Sequence, residues 1–146
     1  MFGRQEQKIV EMRTILFVDD DEIVLRSLER GFFDEPYNKL FANSRKQALE
    51  ILQREEVHVV VTDMRMPETD GLELLKIVRT MYPNIVGIVL SGYSEMATLQ
   101  EAINQGDIFK FIPKPWKLET DFKKVVREAI EHYNLKSKRD TVRQQN

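Results

Sequence analysis

The sequence has no cysteine, which excludes disulfide bonds and thiolate metal sites. It has no apolar run near the roughly 18 residues that a membrane-spanning helix needs, and its first twelve residues are too polar for a signal peptide. It also has no excess of basic residues. Charged residues make up 32% of the chain, but the formal net charge is −2, which argues against a general nucleic-acid binder. At 146 residues, we expect one cytoplasmic domain around one core.

Apolar runs of strand length alternate along the chain with segments of helical period. The predicted strands are residues 14–18, 38–42, 57–62, 85–90 and 108–112. Apolar side chains at helical spacing predict helices between these strands and after the last one, where the stripe begins at Leu118. The alternation predicts an α/β fold, with a parallel sheet covered by helices on both faces. A doubly wound, flavodoxin-like sheet is the leading topology, because a (βα)₈ barrel needs a much longer chain.

The two ends of the chain differ from this pattern. Residues 1–12 contain few apolar side chains, and residues 136–146 contain four basic side chains and one acid. We therefore predict an N-terminal extension at 1–12, a domain at 13–135 and a helical linker at 136–146. The linker could be a solvated helix, a connection to an output domain, or a helix that pairs two copies of the chain.

Carboxylates follow two of the apolar runs. Asp19, Asp20 and Asp21 follow the first predicted strand, and Asp63 follows the third. The carboxyl ends of neighbouring parallel strands meet at one edge of a sheet, so these residues could share a crevice. Two carboxylates about 4 Å apart repel by roughly 4 kcal/mol near a protein surface. Such a cluster requires a cation, a shared proton or a larger separation, although Asp21 is also a good helix N-cap.

Two further strand ends carry a hydroxyl and an ammonium group. Ser91 follows the fourth predicted strand, and Lys114 lies between two prolines after the fifth. Each of these features alone is typical of an ordinary loop. Together, the carboxylates suit a hard cation such as Mg²⁺, while the hydroxyl and the ammonium complement phosphoryl oxygens. An aspartate held in such a site can act as a nucleophile and form an aspartyl phosphate.

With these residues at its strand ends, the chain resembles the receiver domain of two-component response regulators. The resemblance covers about residues 13–135 and is carried by the motifs ILFVDDDE, VVVTDMRMPETDG, VLSGY and FKFIPKPW, in the order of that family. It implies a five-stranded flavodoxin-like (βα)₅ fold with strand order 2-1-3-4-5.

The resemblance also implies a role for each acidic site residue. Asp63 matches the phosphoacceptor, Asp20 the direct ligand of Mg²⁺ or Mn²⁺, and Asp19 its acidic neighbour, which usually acts through water. The backbone carbonyl of Arg65 would complete the protein ligands. The side chain of Arg65 occupies a variable position of the family that overhangs the phosphate, so the lifetime of the phosphorylated state does not follow from the sequence.

The remaining motif residues correspond to phosphoryl contacts and a switch. Ser91 matches the hydroxyl residue that contacts the phosphoryl group, and Lys114 matches the lysine that pairs with it. The resemblance implies a cis bond between Lys114 and Pro115. Phe111 stands where many relatives have a switch tyrosine, so it could rotate but has no hydroxyl to bond near Ser91.

The resemblance implies a phosphorylatable signalling switch and not an enzyme. A sensor histidine kinase or a phosphotransfer protein would supply the phosphoryl group, and the face formed by the fourth helix, fifth strand and fifth helix would change. The FIPKPW segment and the last helix resemble receivers joined to HD-GYP phosphodiesterases or transcription activators. A homodimer is a further expectation. Contact with a membrane or direct nucleic-acid binding by this domain is not expected.

Two other classes compete with this interpretation. The order Asp19-x-Asp21, a later serine and a later lysine imitates phosphatases of the haloacid-dehalogenase type. That class leaves Asp63 unexplained, requires an acidic pair in a strand-end loop after Lys114, and needs room for a cap domain. The other class is a non-phosphorylated receiver that serves only as an interaction module, although every site position carries a competent residue.

Overall fold

A computed structural model describes residue 10 and residues 12–145, with side chains as far as residue 138. Five parallel strands form one sheet: β1 (Thr14–Val18), β2 (Asn38–Ala42), β3 (Val59–Asp63), β4 (Val86–Ser91) and β5 (Lys110–Pro113). Their order in space is β2-β1-β3-β4-β5, so the predicted flavodoxin-like topology is confirmed. Val18 pairs with Thr62 across the central strands, which brings Asp19 level with Asp63.

Five α-helices connect or follow the strands: α1 (Glu22–Gly31), α2 (Arg45–Arg54), α3 (Gly71–Met81), α4 (Met96–Asn104) and α5 (Lys123–Gln145). A 3₁₀ turn (Tyr93–Glu95) precedes α4, and a π-helical turn (Leu118–Phe122) precedes α5. The predicted linker at 136–146 falls within α5 except for residue 146, and the predicted extension at 1–12 lies almost wholly outside the described residues. In the described part of the chain, no helix combines the length and the hydropathy that crossing a membrane requires.

Three predicted strands differ from the structure at their ends. The fourth was predicted at 85–90 but spans Val86–Ser91. The third was predicted at 57–62 but spans Val59–Asp63, and the fifth was predicted at 108–112 but spans Lys110–Pro113. Val57 and Ile108 are buried and apolar, which extends the sequence pattern, but the strand pairings begin later. Burial therefore begins earlier in the chain than strand pairing does, and the hydropathy of the sequence reports only burial.

The sheet separates two helical layers, because successive strand residues face opposite sides. Ile15 and Phe17 of β1 pack against α1 and α5, where the ring centroids of Phe17, Phe32 and Phe122 lie 4.9–6.2 Å apart. Leu16 packs in the second cluster, against α2, α3 and α4. Burial on both faces explains why β1 is a continuous apolar run, as is typical of a parallel sheet.

Side chains cap three helix N-termini at the site end of the sheet, and Asp21 is the cap that the sequence analysis predicts. Asp21, Ser44 and Asp70 each accept a hydrogen bond from a backbone N–H two or three residues later, at 2.7–3.1 Å. Gly106 has φ +78° and follows α4, where glycine adopts the left-handed conformation without strain. Because Asp70 caps α3, the Asp63 carboxylate is not needed for that cap.

Candidate functional site

Three carboxylates meet where β1 and β3 end. Asp19, Asp20 and Asp63 each offer an oxygen atom, and these atoms all lie within 4.8 Å of one another. Asp19 and Asp63 are buried, at 4% and 5% exposure, while Asp20 is exposed. The parallel pairing of β1 with β3 produces this arrangement, because it brings both strand ends to the same edge.

The buried position of Asp19 changes the acidity of its carboxyl group. Burial raises the pKa of the Asp19 carboxyl from its ordinary 3.8 to about 6. The backbone N–H of Asp21, which donates to Asp19 Oδ1 at 2.9 Å, opposes this rise, and the negative charge of Asp63 adds to it. Near neutral pH the cluster therefore holds negative charge in a poorly solvated position, which a bound cation would relieve.

Asp63 is held at both of its carboxylate oxygens. Oδ1 accepts a hydrogen bond from Lys114 Nζ, and Oδ2 accepts one from the backbone N–H of Arg65 at 3.1 Å. Lys114 follows β5 directly, and its backbone N–H donates to the carbonyl of Ser91 at 2.7 Å. The Lys114–Pro115 peptide bond is cis, which agrees with the prediction. The Asp63 carboxylate is thus held between the Lys114 ammonium and the backbone N–H of Arg65.

Ser91 and Phe111 lie on the two strands beyond Asp63. Ser91 ends β4 and is buried, but its hydroxyl donates to the carbonyl of Gly92 at 3.1 Å. Phe111 pairs with Val89 and is partly buried against the core cluster that includes α4 residues. In this conformation the Ser91 hydroxyl is engaged with the backbone.

An ion pair at the site joins the loop after β3 to the segment before α4. Arg65 Nε donates to Glu95 Oε1 at 2.6 Å, and the hydroxyl of Ser94 donates to Glu95 Oε2 at 2.8 Å. The Ser94 hydroxyl and the Arg65 guanidinium hold the pKa of Glu95 below its usual range, against the opposing effect of burial. The Arg65 side chain is 77% exposed, whereas that of Glu95 is 11% exposed.

Sequence reasoning missed Glu95. The available signal is an acidic residue four positions after Ser91, near a strand end that already carries site residues. Its partner lies 30 positions earlier in the chain, so only the fold brings the two side chains together.

Comparison with known proteins identifies the family. Residues 15–127 match the family described as "Response regulator receiver domain". The chain belongs to the response regulator receiver family. Receiver domains are phosphoacceptor domains of two-component systems, so this domain is a phosphorylatable signalling switch. No finding favours the haloacid-dehalogenase alternative or the non-phosphorylated module.

Individual relatives and solved structures agree with this membership. The hydrogenase transcriptional regulatory protein HoxA of Bradyrhizobium diazoefficiens is 35% identical over 130 residues, which are 88% of this chain and 26% of HoxA. A structure described as the adenylate cyclase from Rhodopirellula baltica has a TM-score of 0.86 at 31% identity, covering 92% of this chain and 99% of that one.

A second solved structure is itself described as a receiver. The signal receiver domain of an HD domain-containing protein from Pseudomonas fluorescens Pf-5 has a TM-score of 0.80 at 32% identity, covering 88% of this chain and 94% of that one. The chain spans about a quarter of the length of the curated relatives it matches, which are response regulators with further domains.

The donor set of this receiver fits a hard divalent cation. All three side chains in the cluster offer carboxylate oxygens, the ligand type that Mg²⁺ and Mn²⁺ prefer. The oxygen atoms of the three carboxylates lie within 4.8 Å of one another, and the Lys114 ammonium contacts only Asp63, so the carboxylates would repel without such an ion. The cluster is therefore suited to magnesium, the cation that receiver domains generally bind.

Proposed function

We propose that Asp63 is the phosphoacceptor of this receiver and that its donor is a phosphohistidine on a sensor histidine kinase or a phosphotransfer protein. The observation that carries the proposal is the setting of the Asp63 carboxylate. It is buried at the end of the central strand β3, bonded to Lys114 and to the Arg65 backbone, and adjacent to Asp19 and Asp20.

The proposed transfer is an in-line displacement at phosphorus. One Asp63 oxygen forms the new O–P bond while the P–N bond to the donor imidazole breaks, and the imidazole nitrogen leaves with the electron pair. The Lys114 ammonium already contacts Asp63, so it lies where the incoming phosphoryl oxygens need positive charge. Positioning and charge neutralisation are the main requirements of such a transfer.

We assign Asp19, Asp20 and Asp63 as the side chains that would hold Mg²⁺ or Mn²⁺, with the Arg65 carbonyl as a further ligand. The cation would supply charge neutralisation for the phosphoryl oxygens. Asp20 is exposed and suits direct contact, whereas the buried Asp19 bonds to the Asp21 backbone and suits a role through water.

We propose that Ser91 and Phe111 report the phosphorylation. The Ser91 hydroxyl would leave the Gly92 carbonyl for a phosphoryl oxygen, which is a stronger, charge-assisted acceptor. Phe111 would then turn inward behind it, and the face formed by α4, β5 and α5 would change shape. Phosphorylation thereby biases a two-state element.

The wider setting is also part of the proposal. We propose the boundaries 1–12, 13–135 and 136–146 for extension, receiver and linker, with α5 continuing from the receiver into the linker as far as Gln145. The linker would lead to an output domain, as the longer relatives suggest. We also propose a cytoplasmic location, where the kinase would present its phosphohistidine, and a homodimer.

The proposal is tested by labelling with a small acyl phosphate such as acetyl phosphate. The wild type should gain one phosphoryl group by intact mass in the presence of Mg²⁺, and the label should disappear when the metal is chelated. Asp63→Asn should not be labelled, whereas the matched variant Asp107→Asn, at a residue that pairs with Arg79, should be labelled like the wild type. Undiminished labelling of Asp63→Asn would refute the assignment.

A further inference from the structure

The Arg65–Glu95 ion pair joins the loop that follows Asp63 to the loop that follows Ser91. Arg65 follows Asp63 by two residues and donates its own backbone N–H to the Asp63 carboxylate. Its guanidinium reaches Glu95 at 2.6 Å from Nε, in the 3₁₀ turn that leads from Ser91 into α4. One residue therefore contacts Asp63 through its backbone and the Ser91 loop through its side chain.

Glu95 is built into that loop and is not a loose surface acid. Its second oxygen accepts from the Ser94 hydroxyl at 2.8 Å, and its backbone N–H donates to the Gly92 carbonyl at 3.5 Å. The Ser91 hydroxyl donates to the same Gly92 carbonyl. The ion pair thus tethers a segment, residues 91–95, in which Ser91 is turned to its own backbone.

A phosphoryl group on Asp63 changes the balance of charges around this tether. A protein phosphate carries about −1.5 to −2 charge and offers several strong acceptor oxygens. Arginine prefers such planar, charge-assisted contacts, and the exposed Arg65 side chain is free of packing that would prevent it from turning. The same charge repels the Glu95 carboxylate.

We propose that the Arg65–Glu95 pair is a latch that holds residues 91–95 in the unphosphorylated arrangement, and that phosphorylation opens it by attracting Arg65 and repelling Glu95. The latch rests on the proposed function of Asp63. Glu95 is then a positioning residue, because it acts on Ser91 through the loop and not on the phosphoryl group itself.

The test measures binding of beryllium fluoride, a phosphoryl mimic, with Mg²⁺ present, through the fluorescence of the single tryptophan, Trp116. Glu95→Gln keeps the size of the side chain and removes its charge. Because opening the latch is part of binding, this variant should bind the mimic about twofold to fivefold more tightly than the wild type. The matched control is Asp107→Asn. It removes the ion pair between Asp107, which follows the C-terminal end of α4, and Arg79 of α3, and its affinity for the mimic should not change.

A second variant separates a latch from a merely structural contact. Arg65→Gln also breaks the pair, but it removes the group that the phosphoryl oxygens would attract, so its affinity for the mimic should not rise. The advantage of Glu95→Gln should also shrink at about 0.5 M salt, which screens the charges at the solvent-exposed Arg65 side of the pair. Unchanged or weaker binding by Glu95→Gln, or an equal gain in both variants, would overturn the latch. Failure of the wild type to bind the mimic would instead count against the proposed function.

Discussion

Substitution of Asp19 by asparagine is expected to stabilise the metal-free protein at neutral pH. The folded protein raises the pKa of the Asp19 carboxyl from 3.8 to about 6, chiefly through burial. A proton on Asp19 therefore stabilises the fold below about pH 4, and that contribution is lost as the pH rises through about 6. Asparagine remains uncharged over the whole range and can still accept the Asp21 backbone N–H.

The magnitude follows from the size of this pKa change. Each tenfold change in proton affinity corresponds to about 1.4 kcal/mol, so a rise to about 6 represents roughly 3 kcal/mol at neutral pH. The buried amide also loses hydration, so we expect Asp19→Asn to gain about 1–3 kcal/mol in the free energy of unfolding. Below about pH 4 the two proteins should be equally stable, because Asp19 is then protonated in both states.

Urea unfolding between acid and neutral pH, in the presence of a chelator, measures this difference. Glu29→Gln, at an exposed position of α1, is the control and should change stability by less than about 0.5 kcal/mol. Saturating Mg²⁺ should then stabilise the wild type more than Asp19→Asn, because the asparagine is a poorer ligand. An Asp19→Asn protein that is less stable than the wild type at neutral pH without metal would refute the reasoning.

Two further substitutions test the packing and charge arguments by the same unfolding measurement. Arg127→Ala should lower the free energy of unfolding by about 3 kcal/mol, because it leaves the buried carboxylate of Glu35 without its bidentate partner. Breaking the exposed pair of Lys110 with Glu128 should lower it by less than about 1 kcal/mol. Equal effects of the two would contradict the role of burial. Gly71→Ala should lower stability by about 1–3 kcal/mol, since a Cβ there would collide with the backbone carbonyl oxygen of Asp63. A neutral Gly71→Ala would show that this close approach is not required.

The chain order and hydropathy were sufficient to predict the sheet and its helical layers. Each strand run alternates with an amphipathic segment, and Asp21 and Asp70 mark two helix starts by local chemistry. Local patterns could not predict the π-helical turn before α5. There Phe122 N–H donates to the carbonyl of Lys117 at 3.1 Å, while Leu118 and Phe122 keep the spacing of an ordinary helical stripe.

The same distinction between local and long-range information applies to the residues of the site. Strand ends placed Asp19, Asp63, Ser91 and Lys114 at one edge, because parallel topology determines which ends meet. The sequence could not predict Glu95, whose importance depends on a side-chain contact with a residue in another loop.

The same limit applies to the buried ionic groups away from the site. Glu35 and Lys123 are charged residues that hydropathy assigns to the surface, yet both are buried through pairs that span about 90 residues. Pairing across such distances depends on the completed fold and leaves no periodic trace in the chain.

The identity of the modified residue is the most direct test of the account. Borohydride reduces an aspartyl phosphate to homoserine, so reduction of the acyl-phosphate-treated protein followed by peptide mass mapping identifies the phosphoacceptor. The account predicts homoserine in place of Asp63 in the Mg²⁺-treated sample and none in the chelated sample. Homoserine in place of Asp19 or Asp20, or a label that survives in Asp63→Asn, would contradict it.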